Sequence, residues 1–263
     1  MSGSTIAWGV EQRFFLPNED ARPVAAAMAL QPEPPRRPVF VGGSGLLLLE
    51  ALARTGGDPR ATFVDVALFQ VRYFSEVVGT VQAARTSADL RWWFAEETYP
   101  RLRAHYRERG QDYSLDAALR AMRELFGLSL FFEDASLARA RLIARTTAVR
   151  REEIGRYLAR TEERHDFIYL SNVVDYLDGD ALDRLLEACR RHNAPVYVLV
   201  TSACPDPEGF LAASEAAGFT RDPRSCSLDE QNHGLGSRAL DRSWNRPGTI
   251  HLLVPHSTPG GER

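Results

Sequence analysis

The residues with most chemical potential stand at the ends of short apolar runs. The run VFV leads into Gly42-Gly43-Ser44-Gly45, and LLLLEALARTGG, a segment of helical length, follows at once. Glycines in such a turn let the backbone approach a ligand, and the free N–H groups that open the next helix favour a polar or anionic partner. A plain tight connection would use the same residues. The run ATFVD ends in Asp65, where a carboxylate can accept both hydroxyl protons of a ribose; capping the ALFQVRYF segment is the other reading. LSLFFED ends in Glu133-Asp134, which places Asp134 either against an adenine amino group or in a surface turn. FIYLSN runs on into Val173-Val174-Asp175-Tyr176. Ser171, Asn172 and Tyr176 thereby crowd donors and acceptors suited to a zwitterionic ligand at one strand end, unless Asn172 and Asp175 merely cap a helix and Tyr176 packs on the sheet. Thr201-Ser202 closes VYVLVTSA in the same layer, or forms a polar turn.

These positions converge only if the apolar runs are parallel strands whose carboxyl ends share one edge of a sheet. The order of the chain predicts that arrangement. Strand, tight turn and helix recur after the Pro-rich stretch: VFVGG and LLLLEALARTGG, then ATFVD and ALFQVRYFSEVVGTVQAA. LSLFFED is expected as a third strand, with helix-rich sequence from Ser136 to Arg160. DFIYLSN reads as the fourth strand and LDGDALDRLLEACRRHN as its helix, with Asp180 or a neighbour near the cap. APVYVLVTSA, PEGFLAASEAAG and GTIHLLVPH complete the alternation. Such alternation implies an α/β fold with a doubly wound, mostly parallel sheet and helices on both faces. The Pro-rich stretch QPEPPRRP separates an N-terminal arm, residues 1–37, from the sheet domain, residues 38–256. Residues 85–127, aromatic and charged at helical spacing, read as a helical insertion, and residues 257–263 as a frayed tail. The arm is apolar enough to dock (IAW, RFFL, VAAAMAL), and is expected either to close over a bound ligand or to cover one sheet face permanently.

A Gly-rich turn followed about twenty residues later by an acid at a strand end is a nucleoside-binding arrangement. GGSG lacks the full GxGxxG spacing that suits a pyrophosphate, which favours S-adenosylmethionine over a dinucleotide. VGGSG, FVDVALFQ and FIYLSNVVDYL together resemble the S-adenosylmethionine-dependent 3-amino-3-carboxypropyltransferases of betaine-lipid synthesis, over residues 38 to 202 with long unmatched stretches between. In size and layout the chain is also similar to the compact enzymes that cyclise S-adenosylmethionine to azetidine-2-carboxylate. The resemblance implies the class I methyltransferase (Rossmann-like) fold and attack at Cγ of the methionine arm, releasing methylthioadenosine. It places Gly43 and Gly45 at the cofactor backbone, Asp65 on the ribose, and Ser171, Asn172 and Tyr176 near the amino-acid arm. With their neighbours, Gly42, Gly43, Ser44, Gly45, Asp65, Gln70, Asp134 and Ser171 form the expected cofactor-binding set. Asn172, Tyr176 and Ser202 form the expected catalytic set, holding the neutral α-amine in line with the carbon. An ordinary methyltransferase acting on a small molecule shares every one of these motifs, and a non-catalytic scaffold of the same fold is the remaining alternative.

Composition bounds the rest. The chain has 263 residues, 44% hydrophobic and 25% charged, enough for one large α/β domain with a real core. Its net charge of −3, from 32 basic and 35 acidic residues, offers no general attraction to nucleic acid or an anionic membrane. No basic amphipathic helix is evident, which disfavours a lipid acceptor. Cys189, Cys204 and Cys226 are widely spaced and expected as reduced thiols. Neither they nor His105, His165, His192, His233, His251 and His256 show ligand spacing, so no metal is expected. The first residues carry no basic-then-apolar signal pattern and the longest apolar run, Gly45 to Leu49, is too short to span a bilayer; a cytoplasmic enzyme acting on a small molecule is expected.

Overall fold

The computed structural model describes residues 15–17, 19–108, 110–229 and 248–256. The start of the arm, His233 and the tail after residue 256 lie outside the described residues.

Seven strands form one sheet in the order β3-β2-β1-β4-β5-β7-β6. They are β1 (Pro38–Val41), β2 (Thr62–Asp65), β3 (Ala148–Arg151), β4 (Phe167–Ser171), β5 (Val196–Thr201), β6 (Phe219–Arg221) and β7 (Gly248–Pro255). The pairs β3·β2, β2·β1, β1·β4 and β4·β5 are parallel, whereas β7 runs antiparallel to both its neighbours. This is a doubly wound, mostly parallel α/β sheet. The chain leaves β1 toward β2 and β3, then crosses back to β4 on the other side of β1. The switch point lies between β1 and β4, the place where open α/β sheets bind ligands.

Side-chain alternation sorts the core into two layers. Phe40, Phe63, Tyr169 and Tyr197 point to one face, where α1 (Ala21–Ala29), α2 (Leu46–Thr55), α3 (Leu68–Ala83) and α7 (Asp134–Thr146) pack. Val39, Val41, Val64, Ile168, Leu170 and Val196 point to the other, against α8 (Ile154–Arg160), α9 (Gly179–His192) and α10 (Pro207–Ala216). Between α3 and α7 the chain forms α4 (Ser87–Trp93), a π-helical turn (Phe94–Thr98), α5 (Tyr99–Arg107) and α6 (Leu115–Glu124). Thr86 and Asp89 close a capping box at the start of α4.

One strand expectation fails, and with it the placement of Asp134 at a strand end. LSLFFED is a 3-10 turn, Ser129–Phe131, leading into α7. Within it Leu128, Leu130 and Phe131 are fully buried, while Ser129 and Phe132 are half-buried. A short buried run does not distinguish strand from turn. The backbone here is satisfied by the buried Glu50 of α2, whose carboxylate accepts from Leu130 N at 2.9 Å and from the Ser129 hydroxyl at 2.5 Å. Asp134 is therefore not at a strand end. It is exposed, and its carboxylate accepts from Ser87 N at 2.7 Å, fastening α4 to α7. The true third strand, AVRR, lies inside the stretch expected as helix. As a four-residue edge strand with two exposed arginines it has no apolar pattern to betray it.

The arm enters the core directly. Phe15 is buried, its carbonyl accepts from the Tyr73 hydroxyl at 2.9 Å, and its ring meets Phe69 and Tyr73 edge-on. Asp20 caps α1 through Arg22 N, and Arg22 reaches on to the Glu124 carbonyl. No helix among the described residues is long and apolar enough to cross a membrane.

Candidate functional site

Strand register brings the expected residues to one edge. Val41 pairs with Val64 across β1·β2, and Phe40 with Tyr169 across β1·β4, so Gly42, Asp65 and Ser171 leave their strands side by side. Gly42, Gly43 and Gly45 all take positive φ, at 68°, 69° and 73°, a region that L side chains enter at a cost. At Gly45 the restriction is doubled, because a Cβ there would lie 2.0 Å from the Phe74 ring. The turn is fixed by Gly42 N donating to Val64 O at 3.1 Å and by the Gln70 amide donating to Gly43 O at 2.5 Å. Ser44 is buried and its hydroxyl accepts from Leu46 N at 3.4 Å. Gln70 thus serves the turn's shape. The half-buried Gly42 and Gly43 form the approachable part.

Asp65 faces this turn. Its Oδ2 lies 3.6 Å from where a Cβ on Gly42 would stand. Its Oδ1 accepts from Ala67 N at 2.7 Å, and burial pushes its carboxyl up to about 6 against that bond. Beside it, Val66 and Leu68 expose apolar side chains.

The end of β4 is irregular. Register against β5 shifts between Tyr169 and Ser171, and Ser171 takes φ 51°, in the left-handed region. Such a bulge re-aims a side chain, and strain of about 1–3 kcal/mol at a non-glycine residue persists only where its surroundings impose it. Here the Ser171 hydroxyl donates to Oε1 of Glu19, which also accepts from the Tyr169 hydroxyl at 2.5 Å. On its other side Ser171 Oγ lies 3.4 Å from Asn172 Oδ1, and the Asn172 amide lies 3.4 Å from the Tyr176 hydroxyl. Asn172 and Tyr176 are half-buried. Asp175, in the 3-10 turn Val173–Tyr176, accepts from Thr201 N at 3.1 Å and the Thr201 hydroxyl at 2.5 Å, tying the ends of β4 and β5 together. Ser202 follows, exposed. The cap of α9 is Asp178, with Asp180 in its first turn, and Asn172 and Asp175 belong to the 3-10 turn rather than to the cap of a described α-helix.

Glu19 went unread in the sequence. It is 2% exposed and its Oε2 accepts no hydrogen bond among the described residues. Burial pushes its carboxyl up to about 7, opposed by the hydroxyls of Ser171, Tyr169 and Tyr197, while neighbouring Asp20 pushes the same way as burial. No local pattern reveals it, since the contact joins residues 152 apart in sequence. Also unread was the true end of β3. There Glu152 pairs with Arg156 and Arg160, and Glu153 caps α8 through Gly155 N and Arg156 N. Among the described residues, no group of three His, Cys, Asp or Glu side chains could hold a metal ion.

No protein-family model matches the sequence, nor does any curated protein. Solved structures similar in overall shape include a TehB-like S-adenosylmethionine-dependent methyltransferase from Corynebacterium glutamicum, 10% identical, covering 94% of this chain and 90% of that one with a TM-score of 0.46. The [4+2]-cyclase SpnF is 13% identical, covering 90% and 80% with a TM-score of 0.46. Geranyl diphosphate C-methyltransferase from Streptomyces coelicolor A3(2), solved with Mg2+, geranyl diphosphate and S-adenosyl-L-homocysteine, is 11% identical, covering 90% and 78% with a TM-score of 0.45.

Proposed function

We propose that this protein binds S-adenosylmethionine at the switch point between β1 and β4 and cleaves its Cγ–S bond, with the substrate's own α-amine as nucleophile, giving azetidine-2-carboxylate and methylthioadenosine. The observation that carries the reading is the side-by-side exit of Gly42, Asp65 and Ser171 from three neighbouring strands. Gly42 and Gly43 offer a backbone open to close approach, and Asp65, whose Oδ1 accepts from Ala67 N, has its Oδ2 toward the turn for the ribose. Gly45, Ser44 and Gln70 hold the turn in shape. Asn172, Tyr176 and the exposed Ser202 supply the amide and hydroxyl groups that orient the amino-acid arm. Transfer of the same arm to a small acceptor uses the same contacts.

The chemistry asks little of the protein beyond placement. A sulfonium is already an activated leaving group, so aligning the nitrogen behind Cγ and excluding water supply most of the rate. Calorimetric titration with S-adenosylmethionine tests the site: Asp65→Ala weakens binding by about 2 kcal/mol, the loss of a charged hydrogen-bond partner. An affinity unchanged in a folded Asp65→Ala protein refutes the ribose assignment. Products formed from S-adenosylmethionine alone test the reaction, with methylthioadenosine expected. S-adenosylhomocysteine formed when acceptors are added would instead mark a methyltransferase.

A further inference from the structure

We propose that Glu19 is a positioning residue: its carboxylate holds the irregular end of β4 in the shape that presents Asn172 and Tyr176 to the amino-acid arm of the ligand. This inference rests on the binding part of the reading above, whichever bond is then cleaved.

The first ground is where the carboxylate acts. A single oxygen, Glu19 Oε1, accepts from the hydroxyls of Tyr169 and Ser171, the two residues between which the β4·β5 register shifts. The Tyr197 hydroxyl of β5 reaches the same carboxylate. Glu19 therefore grips the bulge at both ends and ties it to the neighbouring strand. Ser171 stands at φ 51° within that grip. A left-handed serine persists where its contacts impose it, and a hydroxyl bonded to a carboxylate makes one of the stronger contacts available. Downstream, Ser171 Oγ lies 3.4 Å from Asn172 Oδ1, and the Asn172 amide lies 3.4 Å from the Tyr176 hydroxyl. A change in the backbone at Ser171 is passed at once to both of these groups.

The second ground is that Glu19 is itself anchored. Before it in the arm, the carbonyl of the buried Phe15 accepts from the Tyr73 hydroxyl of α3. After it, Asp20 caps α1 through Arg22 N, and Ala21 N donates to Phe126 O at 3.1 Å just past α6. A carboxylate held from both sides can hold β4 in turn. The ribose and glycine-turn contacts leave from β2 and β1, so their geometry does not pass through Glu19. Loss of Glu19 should accordingly be felt by the amino-acid arm of a ligand and not by its nucleoside.

The test reads binding by calorimetry with two probes, S-adenosylhomocysteine, which carries the amino-acid arm, and methylthioadenosine, which lacks it. Wild type, Glu19→Leu and Glu19→Gln are compared, with folding checked by thermal melts. Glu19→Leu removes the acceptor and should weaken S-adenosylhomocysteine about 10-fold, the ordinary effect of losing a hydrogen bond to a charged group, while methylthioadenosine stays within about two-fold of wild type. Glu19→Gln keeps an amide oxygen for the two hydroxyls and should restore S-adenosylhomocysteine to within about three-fold of wild type. Ser171→Gly breaks the same link from the other side, and glycine takes a positive φ without strain. It should show the same arm-specific loss, and it decides the matter if Glu19→Leu does not fold. Unchanged S-adenosylhomocysteine affinity in either folded variant, equal loss of both probes, or a Glu19→Gln as weak as Glu19→Leu overturns the positioning role while leaving the nucleoside site standing. A wild type that binds neither probe overturns the site reading and this inference with it.

Discussion

Glu19 makes a prediction that needs no ligand. Its carboxyl is raised from 4.5 to about 7 in the folded protein, mainly by burial. A raised acid binds its proton more tightly in the native state than in the unfolded chain. Its stabilising contribution is therefore full below the unfolded value and is lost as pH rises through the folded one. Between about pH 5 and pH 8 that loss amounts to about 2–3 kcal/mol, taking roughly 1.4 kcal/mol per pKa unit. Glu19→Gln cannot titrate, so the stability difference between variant and wild type should shift in the variant's favour by about that amount over the interval. Other titrating groups, such as Asp65 and His251, are common to both proteins and cancel in the comparison. Urea unfolding at three pH values across the interval measures it. A difference that stays constant with pH would refute a carboxyl raised by burial at Glu19.

Two further perturbations test the frame around the site. Gly45→Ala combines a left-handed φ with a Cβ driven into the buried Phe74 ring, and should cost about 3 kcal/mol in chemical denaturation; a variant within about 0.5 kcal/mol of wild type would show that the turn relaxes freely. His251 on β7 is buried, its Nδ1 has no hydrogen bond among the described residues, and burial lowers its pKa to about 4. The unfolded chain takes that proton first as pH falls below 6.5, so the native state loses about 2 kcal/mol between about pH 7 and pH 5. His251→Phe should remove this part of the acid sensitivity, and an identical acid profile in the two proteins would contradict it.

What the sequence reveals depends on whether a feature is local. VFVGGSG, ATFVD and DFIYLSN pair a β-branched or aromatic run with a terminal turn or acid, and all three lie where their pattern puts them. The cluster of Ser171, Asn172 and Tyr176 was legible for the same reason, being contiguous in the chain. LSLFFED misled because a short, largely buried apolar run does not separate strand from turn, and AVRR was hidden because an edge strand of four residues needs no apolar alternation. Asp134 was misplaced as a consequence. Glu19 was illegible for a different reason: its environment is made by β4 and β5, far along the chain. Only the three-dimensional arrangement shows that a carboxylate from the arm meets the serine at a strand end.

The central claim is cleavage at Cγ by the substrate's own nitrogen, and one labelling experiment addresses it. Purified protein is incubated with S-adenosylmethionine carrying 15N in the α-amine, with no acceptor added, and the products are resolved by mass spectrometry. The account predicts methylthioadenosine and 15N-labelled azetidine-2-carboxylate in equal amounts. Methylthioadenosine without the labelled ring, or S-adenosylhomocysteine in its place, would contradict it.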